Sequence, residues 1–262
     1  MISPHHLRKL TRFARITALG AGEILDKKAR QHHRIKLKGR VDLVTDADLA
    51  SEHFIIDSIQ HEYPNHSILT EEEASVDNGS EYKWIIDPLD GTTNFAHNFP
   101  FYCVSIACEY QGEMVLGAIY DPMRDELFSA YQGGGAYLNR RRITVTDQAR
   151  LEHSLLATGF PYDIGSSRED NLKLFRRFAK LARGIRRAGS AALDLCYLAC
   201  GRFDGFWELK LHPWDTAAGM VIVTEAGGKV TDFDGAKYLI YDKYILATNG
   251  RIHRQMVKIL TR

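Results

Sequence analysis

The sequence is poor in the features that mark special classes of protein. Its 262 residues include only four cysteines and seven prolines. Cys103, Cys108, Cys196 and Cys200 form no C-x-x-C pair, and each sits among apolar residues. This argues against a zinc knuckle or a redox pair and predicts reduced thiols in the core. No apolar run approaches the roughly 18 residues that a membrane-crossing helix needs, so no membrane span is expected. Residues 1–12 lack the apolar stretch of a signal peptide, which makes the cytoplasm the expected location. No charge of either sign is in excess: 34 Lys+Arg stand against 33 Asp+Glu, a net +1. A dedicated nucleic-acid binder would be strongly basic, and an acidic solvating chain strongly negative. Low-complexity tracts and internal repeats are missing too. The pairs His5-His6 and His32-His33 make poor chelates, because neighbours on a helix point in different directions, and they are expected at the surface.

What is present is an ordinary globular composition, 45% hydrophobic and 26% charged. At about 150 residues per domain this length means one large domain or two small ones. No Pro- or Ser-rich linker divides it. The expectation is a single domain over residues 1–262, with subdomains of about 1–150 and 151–262 sharing one interface.

Ser3-Pro4 reads as a helix start, with the helix running to about Arg30 and weakened in its middle by Gly20 and Gly22. Residues 35–44 read as extended or hairpin-like. Thr45-x-x-Asp48 resembles a capping box, opening a helix that Pro64 stops at Tyr63. Residues 67–70, 83–87, 102–110, 113–121 and 126–130 have strand character, with a hairpin turn at Gln111-Gly112 and a loop at 133–135. Helices are predicted over 167–182, from Ser190 to Gly201, from Asp215 to Gly227-Gly228, and from Asn249 onward. Strands are predicted over 203–209, 229–233 and 244–248. Mixed helices and mostly antiparallel strands give a layered α+β class.

The chemistry lies in carboxylates placed at strand ends. Glu71-Glu72-Glu73 follows one predicted strand. Asp87 ends another, and Asp90 follows after Pro88-Leu89. Asp215 opens a helix. Two carboxylates around a buried strand end repel one another, and a divalent cation is the simplest relief. Oxygen donors without His or Cys select Mg²⁺ or Mn²⁺ over zinc. Gly91-Thr92-Thr93 offers successive backbone N–H groups to an anion. Metal carboxylates beside an anion nest point to metal-dependent phosphotransfer or hydrolysis.

At these residues the chain resembles the inositol monophosphatase family. WIIDPLDGTTN at 84–94 looks like the family's first signature. WDTAAG at 214–219, continuing to EAGG at 225–228, looks like the second. Glu71-Glu72 and VDLVTDAD at 41–48 match upstream segments. The stretches YDPMR at 120–124, ATGFP at 157–161 and RAGSAALD at 187–194 look closest to the bacterial inositol-1-monophosphatase branch.

The resemblance implies a layered αβαβα sandwich of the sugar-phosphatase type, usually dimeric. It implies two to three Mg²⁺ ions, with Mn²⁺ as a substitute. One ion would be held by Glu71, Asp87 and the Leu89 carbonyl, and a second by Asp87, Asp90 and Asp215. A third would lie near Glu71. Glu71 and Thr92 would position the attacking water, with Asp48 bonded to the Thr92 hydroxyl. Gly91 and Thr92 would bind phosphate, and Gly189, Ser190, Ala191 and Glu208 the sugar-alcohol hydroxyls. Glu71, Leu89, Asp90 and Asp215 would border the same substrate. The implied reaction is Mg²⁺-dependent hydrolysis of myo-inositol 1-phosphate by a metal-activated water. Fructose 1,6-bisphosphate, histidinol phosphate and adenosine 3′,5′-bisphosphate are the alternatives. Bacterial relatives of this branch are linked to RNA-polymerase antitermination complexes, which implies an added regulatory partner. The basic residues Arg176, Arg177, Arg183, Arg186 and Arg187 are a candidate docking cluster for it. The family's lysine near the N-terminal segment has no aligned match: Lys36 and Lys38 flank the matching Leu37. Glu73 has no implied role and is expected at the surface.

Overall fold

A computed structural model describes residues 2–30, 35–37 and 43–261. His32, His33, Lys38, Val41 and Asp42 lie outside the described residues. Five layers follow one another, and three apolar cores hold them together.

The outermost layer is α1 (Pro4–Ala29) with α2 (Asp46–Glu62). Ser3 caps α1 by accepting the His6 N–H, and Pro4 sits at its first position. The α2 capping box is present: the Thr45 N–H and hydroxyl both donate to Asp48 Oδ2, at 2.8 and 2.6 Å. The short strands β1 (Ile35–Leu37) and β2 (Leu43–Thr45) pair antiparallel, as the hairpin expectation has it. Gly22 leaves α1 unbroken, and its bare backbone gives the Tyr120 ring room.

The second layer is a seven-stranded sheet. In chain order it comprises β3 (Ser67–Thr70), β4 (Tyr82–Asp90), β5 (Cys103–Tyr110), β6 (Glu113–Asp121), β7 (Glu126–Tyr131), β8 (Gly135–Leu138) and β9 (Arg141–Ile143). The five-residue helix α3 (Thr92–Ala96) follows β4. Gln111 and Gly112 both take positive φ between β5 and β6, as a tight hairpin requires. Helices α1 and α2 bury Leu10, Leu25, Ile55 and Ile59 against Trp84, Ile86 and Ile106 of this sheet.

Helices α5 (Ala191–Ala199) and α6 (Pro213–Glu225) form the middle layer. They sit between the first sheet and a five-stranded one of order β11 (Gly184–Arg186), β10 (Leu155–Thr158), β12 (Gly205–Leu209), β14 (Tyr244–Thr248), β13 (Lys229–Thr231). One continuous core joins Ile85, Ile119 and Phe128 to Leu193, Leu195, Ile222, Phe206 and Ile245. On the far side of the second sheet, α4 (Leu172–Ala179) and α7 (His253–Leu260) close a smaller core around Phe178, Trp207 and Met256. The expected αβαβα sandwich is therefore what the chain adopts. Cys103, Cys108 and Cys196 are buried free thiols and Cys200 is half-buried.

The sequence expectation fails in three places. The helix expected over 167–182 is only Leu172–Ala179. Asn171 adopts φ 65 there, and its side chain donates inward to Thr158 Oγ1 and the Gly159 carbonyl at 2.9 and 2.6 Å. The last helix begins at His253, because the Asn249 side chain accepts the Arg251 and Ile252 N–H groups in a turn. Strands β8 to β11 carry no recognisable pattern in the sequence, and Gly135 belongs to β8 rather than to a loop. The strands are mostly antiparallel, as expected; the parallel pairings are β3 with β4, and β10 with both β11 and β12.

Candidate active site

The cleft of interest opens where β4, the N-terminus of α5, the end of β12 and the start of α6 converge. Strand β4 keeps its register with β5 up to Asp87 and resumes it at Asp90, with an irregularity between them. Pro88 and Leu89 fill that bulge. The Leu89 N–H donates to Asp87 Oδ1 at 3.0 Å, and the Ser51 hydroxyl donates to the Pro88 carbonyl at 2.8 Å. The bulge thus sets two aspartates close together where a regular strand would separate them.

Asp215, in the first turn of α6, completes a triad. Carboxylate oxygens of Asp87, Asp90 and Asp215 lie within 4.8 Å of one another, the one such cluster of three among the described residues. Asp215 Oδ2 accepts the His212 N–H at 2.6 Å, which is a helix-cap bond. Asp90 Oδ2 accepts the Ser190 hydroxyl at 2.6 Å and the Ala192 N–H at 2.7 Å, across the middle layer.

Burial raises all three acids. Asp87 goes well above the usual carboxylate range, pushed further by Glu71, Asp90 and Asp215. Asp215 is also well above it, from burial and the charge of Asp90. Asp90 reaches about 6, held down by its bonds to Ser190 and the α5 backbone. Three converging carboxylates, Asp87 buried and Asp215 half-buried, with no cationic side chain among the causes acting on Asp87, Asp90 or Asp215, fit a hard divalent cation through oxygen donors alone.

Glu71 lies beyond β3, close enough to Asp87 to rank first among the charges acting on it. Its turn is pinned from below by Glu52, which is fully buried. Glu52 Oε1 accepts the Thr70 hydroxyl and the N–H groups of Glu72 and Glu73. Glu73 is exposed, as expected, and pairs with His53.

Gly91 turns the chain from β4 into α3 with φ 98, a conformation that favours glycine. The first helical bond there is Phe95 N–H to the Gly91 carbonyl, at 3.0 Å. The N–H groups of Thr92 and Thr93 precede it, in the unsatisfied first turn. Thr92 Oγ1 lies 3.1 Å from Asp48 Oδ1 and 3.0 Å from the Leu89 carbonyl. Burial raises Asp48 as well, opposed by its bonds to Thr45 and Thr92.

The other wall holds Gly189, Ser190, Ala191 and Glu208. Glu208, on β12, is 7% exposed. Burial lifts it to about 8, opposed by Arg187 and assisted by Asp90. A Cβ on Gly159 would stand 2.0 Å from Glu208 Oε1, so glycine makes the space that the carboxylate occupies.

Every proposed site residue falls in or beside this one cleft. Sequence reasoning missed several others that line it, namely Asp194, Lys210 and His212. Asp194 is 2% exposed, and its Oδ1 has no hydrogen-bond partner. A lone aspartate in the otherwise apolar AALDLCYLA helix was the signal available. Lys210 bonds to Asp163 and Ser167, tying the 160–167 segment over the cleft. Asn94 was passed over as part of a motif. Its amide donates to the carbonyls of Phe101 and Ala188, at 2.7 and 2.9 Å, and so joins the two walls. Arg187 lines the cleft, while Arg177 donates to the Ile259 carbonyl on α7, so the expected basic cluster is not a single face.

A layered α+β fold with an aspartate triad facing a glycine–threonine turn defines a phosphomonoesterase. The chain belongs to the inositol monophosphatase family, whose model matches residues 6–262. It is 45% identical to an inositol-1-monophosphatase of Synechocystis sp., covering 99% of this chain and 91% of that one. It is 42% identical to the Nus factor SuhB of Pseudomonas aeruginosa, over 92% and 91% of the two chains. The solved inositol monophosphatase of Anabaena (Nostoc) sp. superposes with a TM-score of 0.90 at 44% identity, covering 98% and 96%. Among the described residues no helix is long and apolar enough to cross a membrane.

Proposed function

We propose that this protein hydrolyses myo-inositol 1-phosphate to myo-inositol and inorganic phosphate in a Mg²⁺-dependent reaction. The observation that carries this reading is the convergence in one cleft of the Asp87–Asp90–Asp215 triad, the Gly91–Thr92 turn and the buried Glu208. Similarity to relatives named inositol monophosphatase supports the choice of substrate.

Glu71, Asp87 and the Leu89 carbonyl are assigned to one Mg²⁺, and Asp87, Asp90 and Asp215 to another, with Mn²⁺ as a substitute. Bound there, the ions offset the carboxylate charge, polarise the phosphate and lower the pKa of a coordinated water. The chain's own groups do the rest. With its proton directed to Asp48, the Thr92 hydroxyl keeps lone pairs to accept from the attacking water and aim it. Glu71, beside Asp87, is placed to take up that water's proton. The N–H groups of Gly91 and Thr92 bind the phosphate oxygens as charge develops on them. Glu208 accepts from two vicinal hydroxyls of the polyol, and the Gly189–Ser190–Ala191 turn fits against its ring. Asp215 stands where the leaving oxygen needs a proton, which a water it holds can deliver.

Turnover of inositol 1-phosphate, fructose 1,6-bisphosphate, histidinol phosphate and adenosine 3′,5′-bisphosphate at equal concentration tests the substrate. The first is expected to lead; much slower turnover of it than of a competitor would overturn the choice. We read the chain as one domain with a division near residue 150, acting as a cytoplasmic homodimer; sedimentation with and without Mg²⁺ tests the dimer. Similarity to a protein named Nus factor SuhB supports an added transcription-associated partner. Asp87→Asn separates the two roles, because it should end hydrolysis and leave partner binding intact.

A further inference from the structure

A second concave surface lies between α1 and the β7–β9 meander, and it shares no lining residue with the cleft around Asp215. Arg8, Arg12 and Arg15 reach it from α1, and Arg140 from the turn between β8 and β9. The helical spacing i, i+4, i+7 puts the first three on one face, spread over about 10 Å of helix axis. Tyr131 and Tyr137 form part of the wall, and no acidic residue lines it.

Four arginines pair with a carboxylate among the described residues. Arg30 pairs with Asp26, Arg124 with Asp121, Arg150 with Glu152 and Arg202 with Glu126. Among the described residues none of the four groove arginines has such a partner. The second observation is Arg15 itself: its Nε is buried and has no hydrogen-bond partner among the described residues. Four guanidinium groups lining one concavity with no carboxylate among them repel one another, and an anion seated there relieves that repulsion through charge-assisted hydrogen bonds. Guanidinium forks match phosphate oxygens in pairs.

We propose that this groove binds a small oligophosphate, such as the triphosphate chain of a nucleotide, independently of the phosphatase cleft. Three guanidiniums along about 10 Å call for more than one phosphate, and a fourth faces them from another element. They also call for denser charge than a peptide's carboxylates supply. The tyrosine rings offer a base or sugar a surface to lie against. A long nucleic acid is disfavoured, because the chain carries a net charge of only +1 and the arginines are gathered in one concavity rather than along a stripe.

The test is calorimetric titration of metal-free protein with tripolyphosphate, in EDTA at about 0.15 M salt. Without divalent ions the Asp87 cleft lacks the cations proposed to hold a phosphate there, so binding that Arg140→Ala weakens reports the groove. Saturable binding is expected. Arg12→Ala/Arg15→Ala should weaken it at least tenfold, and Arg140→Ala several-fold, with Mg²⁺-dependent hydrolysis unchanged in both. Arg140 lies on an exposed turn, so that variant decides the matter if the α1 double variant fails to fold. No saturable binding, or equal binding by wild type and Arg140→Ala, would overturn the proposal. A single-stranded RNA oligomer that displaces tripolyphosphate with higher affinity would overturn the small-ligand assignment.

Discussion

Asp90 and Ser190, a hundred positions apart in the chain, meet across the middle layer: the Ser190 hydroxyl donates to Asp90 Oδ2 at 2.6 Å. The same Ser190 oxygen accepts the Leu193 N–H at 3.2 Å and so caps α5. One hydroxyl thus starts the helix and fixes a carboxylate of the aspartate triad. Ser190→Ala removes both bonds. It should cost about 1–2 kcal/mol of stability, the usual effect of a lost N-cap, and weaken Mn²⁺ binding several-fold by freeing Asp90. Thermal melts with and without Mn²⁺ measure the two effects. A variant as stable as wild type, with unchanged Mn²⁺ affinity, would remove Ser190 from the account.

Gly159 and Glu208 are the corresponding pair on the other wall. A Cβ at residue 159 would displace the Glu208 carboxylate. Gly159→Ala should therefore raise KM for inositol 1-phosphate by an order of magnitude while leaving Mn²⁺ affinity near wild type. Steady-state kinetics beside direct Mn²⁺ titration tests this; equal losses of both would mean that the substitution disturbs the whole cleft.

Thr92→Val keeps the shape of residue 92 and deletes the hydroxyl that faces Asp48. If that hydroxyl aims the attacking water, kcat should fall about 10²–10⁴-fold with KM little changed. An unchanged kcat assigns the Thr92–Asp48 bond to the fold alone.

Metal-free protein should lose stability as pH rises. Asp87, Asp90 and Asp215 are raised by burial, so the folded state binds more protons than the unfolded state above the usual carboxylate range. Their stabilising contribution is complete below about pH 4 and is lost as pH rises through the folded values, for Asp90 about 6. His253, buried between Thr231 and Thr248 and lowered to about 4, acts in the opposite sense as pH rises from there. The informative quantity is therefore the difference between wild type and Asp90→Asn in EDTA. Wild type should lose more stability between pH 5 and pH 8, and saturating Mg²⁺ should remove that difference. Parallel pH profiles would contradict the account.

Much of this site was legible because its donors are close in sequence. Asp87, Leu89, Asp90, Gly91 and Thr92 all lie on one bulge and turn, and Thr45-x-x-Asp48 declares itself as a capping box. Asp215 stood out as an acid opening a helix, and the resemblance supplied the distant partner Glu208. The parts that stayed hidden depend on contacts no local pattern encodes. Strands β10 and β11 have four and three residues, too few for a period, and they pair in parallel. The start of α4 is set by Asn171, which turns inward to Thr158, Gly159 and Trp207 instead of capping. Glu52 reads as one more polar residue on a helix, and only the fold puts its carboxylate beneath the Glu71–Glu73 turn.

Phosphate release from inositol 1-phosphate by metal-stripped protein, followed while Mg²⁺ is titrated back, tests the central claim most directly when run beside Asp87→Asn. Wild type should be inactive without Mg²⁺ and recover with saturation, and Asp87→Asn should stay inactive throughout. Hydrolysis by the stripped wild type, or full recovery by Asp87→Asn, would contradict the assignment of the aspartate triad.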